Sequence, residues 1–470
     1  MRKGPSPQLL SREGIIYVKM QSIEKSLHVV EFKDDVLREL SMDLNRIRNV
    51  RDSRKLEKLI EWLSRAPKNT VFRINTILCT QNEAYSCIKK SLNQNLKTSV
   101  IISTFENIPE LIIINGWEYT HELPKLSKEI IVDSSCGSAI LRGAHIYAPG
   151  VLGMPCNLNQ GDHVSVYVDL KQNCKKGLIK QYDSHSKLFV GNGVVRMTRE
   201  SIFKHTAENI SGIAISMTDV ISGVPQLNDE LLPSGHILLQ NLPSIICVRI
   251  LDPRPGEIIL DMCAAPGNKT THISSLMKNQ GTVIALEKIK SKVEKLRSNL
   301  KIFHAENVRA FCFDSTKAVC NDNNRNVVDG PPFYENTFDK ILLDGPCSAL
   351  GQRPQLCNNI SCSQLRSYVP LQRKLFTTAV QLLKPSGILV YSTCTITIAE
   401  NEGIVAWALS KFPKLELVAI RKKLSALNFE NFPMSGYEID GLTPEQSEKL
   451  CRFGVENDFV GFFIACFVKT

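Results

Sequence analysis

Two cysteines, Cys347 and Cys394, each follow an apolar, β-rich run. Ile341-Leu342-Leu343 leads into Asp344-Gly345-Pro346-Cys347-Ser348, and Gly387-Ile388-Leu389-Val390-Tyr391 leads into Ser392-Thr393-Cys394-Thr395. In an open α/β sheet, ligands bind beyond the carboxyl ends of such strands. Thiols on two adjacent strand ends can therefore share one pocket and divide a reaction. One attacks, and the other helps to remove a proton later. An ordinary buried thiol is the simpler account of either cysteine alone. Asp344 on the first loop, and a ligand-type turn upstream, turn the pair into a constellation.

That turn follows Ile258-Ile259-Leu260-Asp261-Met262, a buried-strand pattern that runs into Cys263-Ala264-Ala265-Pro266-Gly267. A helix is expected from Asn268-Lys269-Thr270 onward. Small residues at the turn let backbone approach a ligand, and the helix start offers unpaired N–H groups and positive potential. Glu287 closes the next strand, where nucleotide-binding α/β folds place the acid that accepts ribose hydroxyls. Asp314 ends the strand after that and is placed to hold an adenine amine. Neither Gly-x-Gly-x-x-Gly nor Gly-Lys-Ser/Thr occurs here, so a single adenosyl ligand is expected rather than a dinucleotide or nucleoside triphosphate. From Lys269 to Lys301 there are eight Lys/Arg against two Glu. Such a run suits a solvated helix face or, beside a pocket, a phosphate backbone.

Positioning these residues takes a chain of several domains. Its 470 residues, 22% charged and 43% hydrophobic, describe a folded globular protein. The formal net charge of +10 fits an anionic partner such as nucleic acid without establishing one. Fifteen cysteines without any Cys-x-x-Cys read as reduced thiols in the cytoplasm rather than as a zinc site, and no metal is expected. No apolar run reaches the ~18 residues of a membrane span, and none after Met1 resembles a signal peptide.

Residues 1–30 lack a clear period and are expected to be a flexible extension. Over 31–129 a small α+β unit is expected. Its helices start near Asp34 and near Ser53, the second capped by Asp52 or Ser53, with a strand over Val71–Thr76. Over 130–224 short strands and turns dominate. Lys/Arg outnumber Asp/Glu only nine to seven over 132–224, so charge alone favours a solvated barrel face as much as an RNA site. Over 225–470 strands alternate with helices, the mark of a parallel sheet with crossovers. The expected strands are Glu257–Met262, Thr282–Glu287, Val308–Phe313, Lys340–Leu343, Gly387–Ser392 and Val460–Val468. A helix is expected over Lys292–Phe303 and an exposed loop over Asn321–Asn336.

Taken together, Asp261 to Thr270, Asp344 to Ser348 and Ser392 to Thr395 resemble the motifs of the Sun-domain (NSUN) RNA cytosine-C5 methyltransferases. Gln240-Asn241-Leu242-Pro243-Ser244 is similar to that family's entry motif, and Gly461-Phe462-Phe463-Ile464-Ala465 to its closing strand. The resemblance covers about 235–470. It implies a Rossmann-like α/β sheet that binds S-adenosyl-L-methionine through Cys263, Ala264, Ala265, Pro266, Gly267, Lys269, Glu287, Asp314 and Asp344. It makes Cys394 the nucleophile toward cytosine carbon 6 and Cys347 the base, or its assistant, in the later elimination. Asp344 then bonds the N3/N4 edge of the ring, and Lys269 orients Asp344 or the base. Cys136 to Gly150 resembles a PUA domain, an RNA-binding pseudo-barrel, here inserted between an N-terminal RNA-binding unit and the catalytic domain. Within the family that arrangement is similar to the sixth member, a tRNA methyltransferase acting near the 3' acceptor end. Arg142, Tyr147, Lys175 and Lys176 become the candidate tRNA contacts, and a monomer is expected.

Several positions depart from the family pattern. Asn268 stands for the usual Gly, Glu287 for the usual Asp, and Gly345 and Ala349 exchange the small residues of the Pro-Cys loop. Three other readings remain. DNA cytosine-C5 methyltransferases attack from the Pro-Cys loop, which would make Cys347 the nucleophile. The chain could be a non-catalytic RNA-binding scaffold, or it could methylate rRNA or mRNA.

Overall fold

The computed structural model describes residues 9–12, 15–18, 28–48, 53–95, 100–116, 122–203, 212–227, 231–320, 329–428, 434–456 and 458–470. Most of the first thirty residues, Asp52 and the first half of the Asn321–Asn336 loop lie outside them. Within 1–30, Leu9–Arg12 and Ile15–Val18 pair as two antiparallel strands.

The first long helix, Asp34–Leu44, buries Val36, Leu37 and Leu40, and two Asp in its first turn suit the positive end of the helix dipole. The second, Lys55–Ser64, has Arg54 at its N-cap with no side-chain cap bond, so Ser53 does not cap it. Its stability comes from burying Leu59, Ile60, Trp62 and Leu63, as tertiary packing rather than end chemistry holds most short helices. A four-stranded sheet follows, in the order Ile237–Leu239, Asn69–Ile74, Leu111–Asn115, Ile102–Thr104. Its first strand enters from the segment expected to open the catalytic region.

Residues 129–220 form a six-stranded mixed sheet. Glu129–Val132 runs parallel to His163–Asp169, and the other pairings are antiparallel. The Ser134–Leu141 helix packs on it, capped by Asp133 accepting from the Cys136 N–H.

The C-terminal sheet has eight strands. Val308–Cys312, Thr282–Glu287, Ile258–Asp261, Phe338–Asp344 and Leu383–Thr393 run parallel in that spatial order. Phe462–Lys469 adds antiparallel, and the short strands Leu415–Leu417 and Cys451–Phe453 pair with it. The chain runs outward from Ile258–Asp261 in one direction and then returns to its other side at Phe338–Asp344. The strand order therefore reverses between these two, and a crevice opens at their carboxyl ends. The Leu242–Leu251 helix is almost wholly buried between this sheet and the N-terminal one. Val71, Ile108 and Leu111 share one core with Ile245, Ile273 and Ile464. No helix among the described residues is long and apolar enough to cross a membrane.

Candidate active site

Register brings the two thiols together. Asp344 at the end of one strand is the parallel neighbour of Ser392 on the next. Cys347 and Cys394 lie three and two residues beyond that pair, and their sulfurs are 3.4 Å apart. Below them Asp344 is clamped from both sides. Lys269 Nζ donates to Oδ2 (2.7 Å) and Ser392 Oγ to Oδ1 (2.7 Å). Lys269 also lies over the Phe462 ring, 5.2 Å from its centroid.

The thiols differ electrostatically. Cys394 is held below the ordinary thiol range, chiefly by the hydrogen bond from Cys347, with the Gln352 side chain and Lys269 also favouring its thiolate. Cys347 is pushed well above that range by the same bond, by burial and by the charge of Glu400. The bond between them makes Cys394 the more acidic thiol, which is how closely spaced acids acquire separate roles.

Gly267 precedes the Asn268–Leu276 helix in a left-handed conformation with φ +107°. A Cβ there would lie 2.8 Å from Leu296 Cδ1 on the neighbouring helix, so the turn needs glycine on both counts. A cleft of about 420 Å³ opens beside it. Asp261, Cys263, Ala264, Ala265, Pro266, Lys269, Asp344 and Cys394 line its floor, and Ala139, Arg142 and Ala144 of the six-stranded unit line its opposite wall. Asp261 is pushed up to about 6 by burial; its Oδ2 accepts from Thr270 Oγ1 (2.7 Å), while Oδ1 is buried with no partner. Burial likewise raises the Cys263 thiol, with further rises from Asp261, Asp344, Glu287 and Asp314. Four carboxylates thus surround the turn. The buried Asp261 Oδ1, without a partner among the described residues, fits a ligand bearing N–H or O–H donors, as a sulfonium nucleoside does.

Glu287 and Asp314 stand at the ends of the next two strands and do not line that cleft. Glu287 Oε1 accepts from the Ile289 N–H (2.9 Å). Asp314 bonds Thr316 through Oδ1 and pairs with Lys288 through Oδ2 (2.9 Å), so the acid expected to hold an adenine amine already has partners. Arg142 donates to the Arg353 carbonyl (3.2 Å) at the cleft wall. Tyr147, Lys175 and Lys176 are exposed on the six-stranded unit. Among the described residues no group of three or more His, Cys, Asp or Glu could hold a metal ion.

Two buried polar groups escaped the motif reading. Glu400 lies behind the thiol loops. Arg73 of the N-terminal sheet, and Glu110 in the turn before its Leu111–Asn115 strand, reach the helix that carries Lys269. Arg73 donates to the Asn268 carbonyl and to Thr271 Oγ1 (2.9 Å), and Glu110 accepts from His272 Nε2 (3.0 Å) and Arg249 Nε (2.5 Å). Burial pushes His272 down to about 4, so the imidazole is neutral at pH 7 and this contact is a hydrogen bond, not an ion pair. The acid of Glu400-Asn401-Glu402, close after Cys394, was a visible sign; nothing local marks Arg73 or Glu110.

The model of the family described as 16S rRNA methyltransferase RsmB/F matches residues 248–467. The human tRNA (cytosine(72)-C(5))-methyltransferase NSUN6 is 43% identical over 435 residues, 88% of this chain and 92% of its own length. The rRNA (cytosine-C(5))-methyltransferase NOP2C of Arabidopsis thaliana is 30% identical over 87% of each chain. The crystal structure of NSun6 from Pyrococcus horikoshii with SFG superposes with a TM-score of 0.68 at 25% identity, covering 94% of this chain and 99% of that one.

Proposed function

Because the chain belongs to the RsmB/F family of S-adenosylmethionine-dependent RNA cytosine-C5 methyltransferases, we propose that its substrate is tRNA and its target the cytosine at position 72, near the 3' acceptor end. The observation that carries the reading is the pair of thiols at 3.4 Å above an Asp344 held by Lys269 and Ser392.

Carbon 5 of cytosine is a weak nucleophile until a thiolate adds to carbon 6. Cys394, the thiol of lowered pKa, makes that addition. Asp344 meets the N3/N4 edge and favours the charge that builds there, with Lys269 fixing its orientation. S-adenosylmethionine supplies the electrophilic methyl group, and the residues that would hold it are Asp261, Cys263 to Gly267, Lys269, Glu287, Asp314 and Asp344. Once Cys394 is tied up in the adduct, Cys347 gives its own proton to solvent and then takes the carbon 5 proton; the C5–H electron pair forms the C5–C6 double bond and the C–S bond breaks, returning Cys394 as a thiolate. The base must leave its stack to reach this crevice.

The six-stranded unit, 130–224, is the PUA module; Arg142, Tyr147, Lys175 and Lys176 would contact the tRNA end. Residues 31–129 support RNA binding, and 225–470 form the catalytic domain. Fifteen cysteines without a Cys-x-x-Cys suit a reducing compartment, and a cytoplasmic enzyme acting as a monomer is the reading we propose. An rRNA substrate is the second reading, favoured by the plant relative.

The test is adduct trapping with S-adenosylmethionine and a tRNA transcript. Cys347→Ala is expected to accumulate a denaturant-stable RNA–protein adduct, and Cys394→Ala to form none. The reverse pattern would make Cys347 the nucleophile. Methylation of an rRNA fragment in preference to tRNA carrying cytosine 72 would favour the second reading, and no S-adenosylmethionine binding by calorimetry would leave only an RNA-binding scaffold.

A further inference from the structure

Glu400 is 1% exposed, and among the described residues it has no ion-pair partner. Its carboxylate is held by neutral donors alone. Oε2 accepts from the Ser348 N–H (3.0 Å) and Gln372 Nε2 (2.9 Å); Oε1 accepts from Ser348 Oγ (2.6 Å) and Thr397 Oγ1 (2.9 Å). Two of these donors belong to the residue after Cys347, and a third lies on the loop beyond Cys394. Gln372 Nε2 also donates to the Pro346 carbonyl (3.0 Å), so the backbone on both sides of Cys347 is tied to this one carboxylate. Ser348 Oγ and Thr395 Oγ1, 2.6 Å apart, join the two loops directly. The Glu400 carbonyl takes the Tyr391 hydroxyl (2.6 Å), and Asp43 receives the N–H groups of Ile398 (2.5 Å) and Ala399 (3.0 Å), so the clamp is itself anchored.

Burying a carboxylate without a cation is costly, and four neutral donors offset only part of that cost. Such a group persists where its charge or its geometry is used. We propose that Glu400 is a positioning residue: it fixes the spacing of the Cys347 and Cys394 loops and sets a negative charge on the Cys347 side of the pair. The groups facing the thiols are few. Glu400 faces Cys347, whereas Asp344 and Lys269 face Cys394. Asp344 and Lys269 are paired with each other and act on Cys394 with opposite signs; beside the bond between the two thiols, Glu400 adds a charge that acts on Cys347, without an ion-pair partner among the described residues. The assignment rests on the proposed roles of Cys394 as nucleophile and Cys347 as proton acceptor.

Ligand-free alkylation tests it independently of turnover. Wild type and Glu400→Gln are treated with iodoacetamide across pH 5–10, and each cysteine peptide is quantified by mass spectrometry. Methyl-transfer kcat, both KM values and the thermal midpoint are measured beside it. In wild type, Cys394 is expected to be alkylated at least about tenfold faster than Cys347 at pH 7, one unit of thiolate pKa. Glu400→Gln should narrow that preference and move the Cys347 profile to lower pH, the bond between the thiols preserving the rest. It should cut kcat by about 10²-fold, the cost of misplacing a reacting group by an ångström, with both KM values within about twofold. Glu400→Asp keeps the charge on a shorter arm, so it should restore the preference more fully than kcat. Ser348→Ala, which removes the hydroxyl bridge and leaves the carboxylate, should lower kcat while the preference survives. An unchanged alkylation ratio in Glu400→Gln, or a kcat loss that only follows the fraction unfolded, would overturn the assignment. Wild type alkylated first at Cys347 would refute the proposed nucleophile; Glu400 would then be judged by whether Glu400→Gln still alters the ratio.

Discussion

Replacing Glu110 with Gln keeps its shape and removes the one negative charge inside a cluster of cations beneath the Lys269 helix. Glu110 is 1% exposed and receives two N–H groups of Arg249 and one of His272. Burial alone would raise its pKa, yet His272 and Arg249 pull it down to about 2, so the folded state depends on the ionised form. Arg73 is 2% exposed, and burial pushes it down to about 9 against the attraction of Glu110. The substitution leaves both arginines without an anion and turns an amide N–H₂ toward existing donors. Breaking a buried ion pair in this way costs about 3–5 kcal/mol. At roughly 2–4 °C per kcal/mol for a domain of this size, the thermal midpoint should fall by about 6–20 °C. Arg73 anchors the first turn of the Asn268–Leu276 helix, so S-adenosylmethionine binding should weaken as well. The assay is a melt followed by circular dichroism, with calorimetric titration of the cofactor at 20 °C. A midpoint within about 2 °C of wild type, with unchanged cofactor affinity, would refute the reasoning.

Acid should act on the same cluster. His272 has a folded pKa of about 4 against an unfolded value near 6.5, so its contribution is complete above pH 6.5 and is lost as pH falls toward 4. That contribution is about 3 kcal/mol, and His272→Gln, which still donates to Glu110, should flatten the stability profile across this window. Asp344→Asn leaves Lys269 without its carboxylate and should lower single-turnover methylation by about 10²–10³-fold with RNA affinity little changed. Gly267→Ala combines a left-handed backbone with a 2.8 Å contact to Leu296. Calorimetry should show weaker cofactor binding, and the melt a loss of at least about 1–2 kcal/mol. In Cys347→Ala the bond that chiefly favours the Cys394 thiolate is gone, so the Cys394 alkylation profile should move to higher pH.

Local pattern carried much of this protein. Apolar runs ending in small or polar residues located the parallel strands to within a few residues, because a strand buried on both faces must be apolar throughout. The same runs put Cys347 and Cys394 just past strand ends, and the parallel register then left them little choice but to meet. Short motifs located the Cys263–Gly267 turn for the same reason: a tight turn into a helix is a local object. The two short strands Leu415–Leu417 and Cys451–Phe453 had no such signature, since each exists only as a partner of Phe462–Lys469. Ser53 likewise looked like a cap, but the buried face of the helix decided where it begins.

What only the folded chain decided is which distant groups share a dielectric. Arg73 and Asn268 are 195 residues apart, Glu110 and His272 162, and Asp43 and Ile398 355. No periodicity encodes such pairs, because each residue sits in an ordinary strand, helix or loop pattern. Their worth arises when packing removes water between them, and removing water is a property of the whole assembly of elements. The sequence by itself determined the two thiols and the turn that faces them. The tertiary structure determined which thiol is the more acidic, because the bond between Cys347 and Cys394 and the charges of Lys269 and Glu400 beside them meet only when the strands pair.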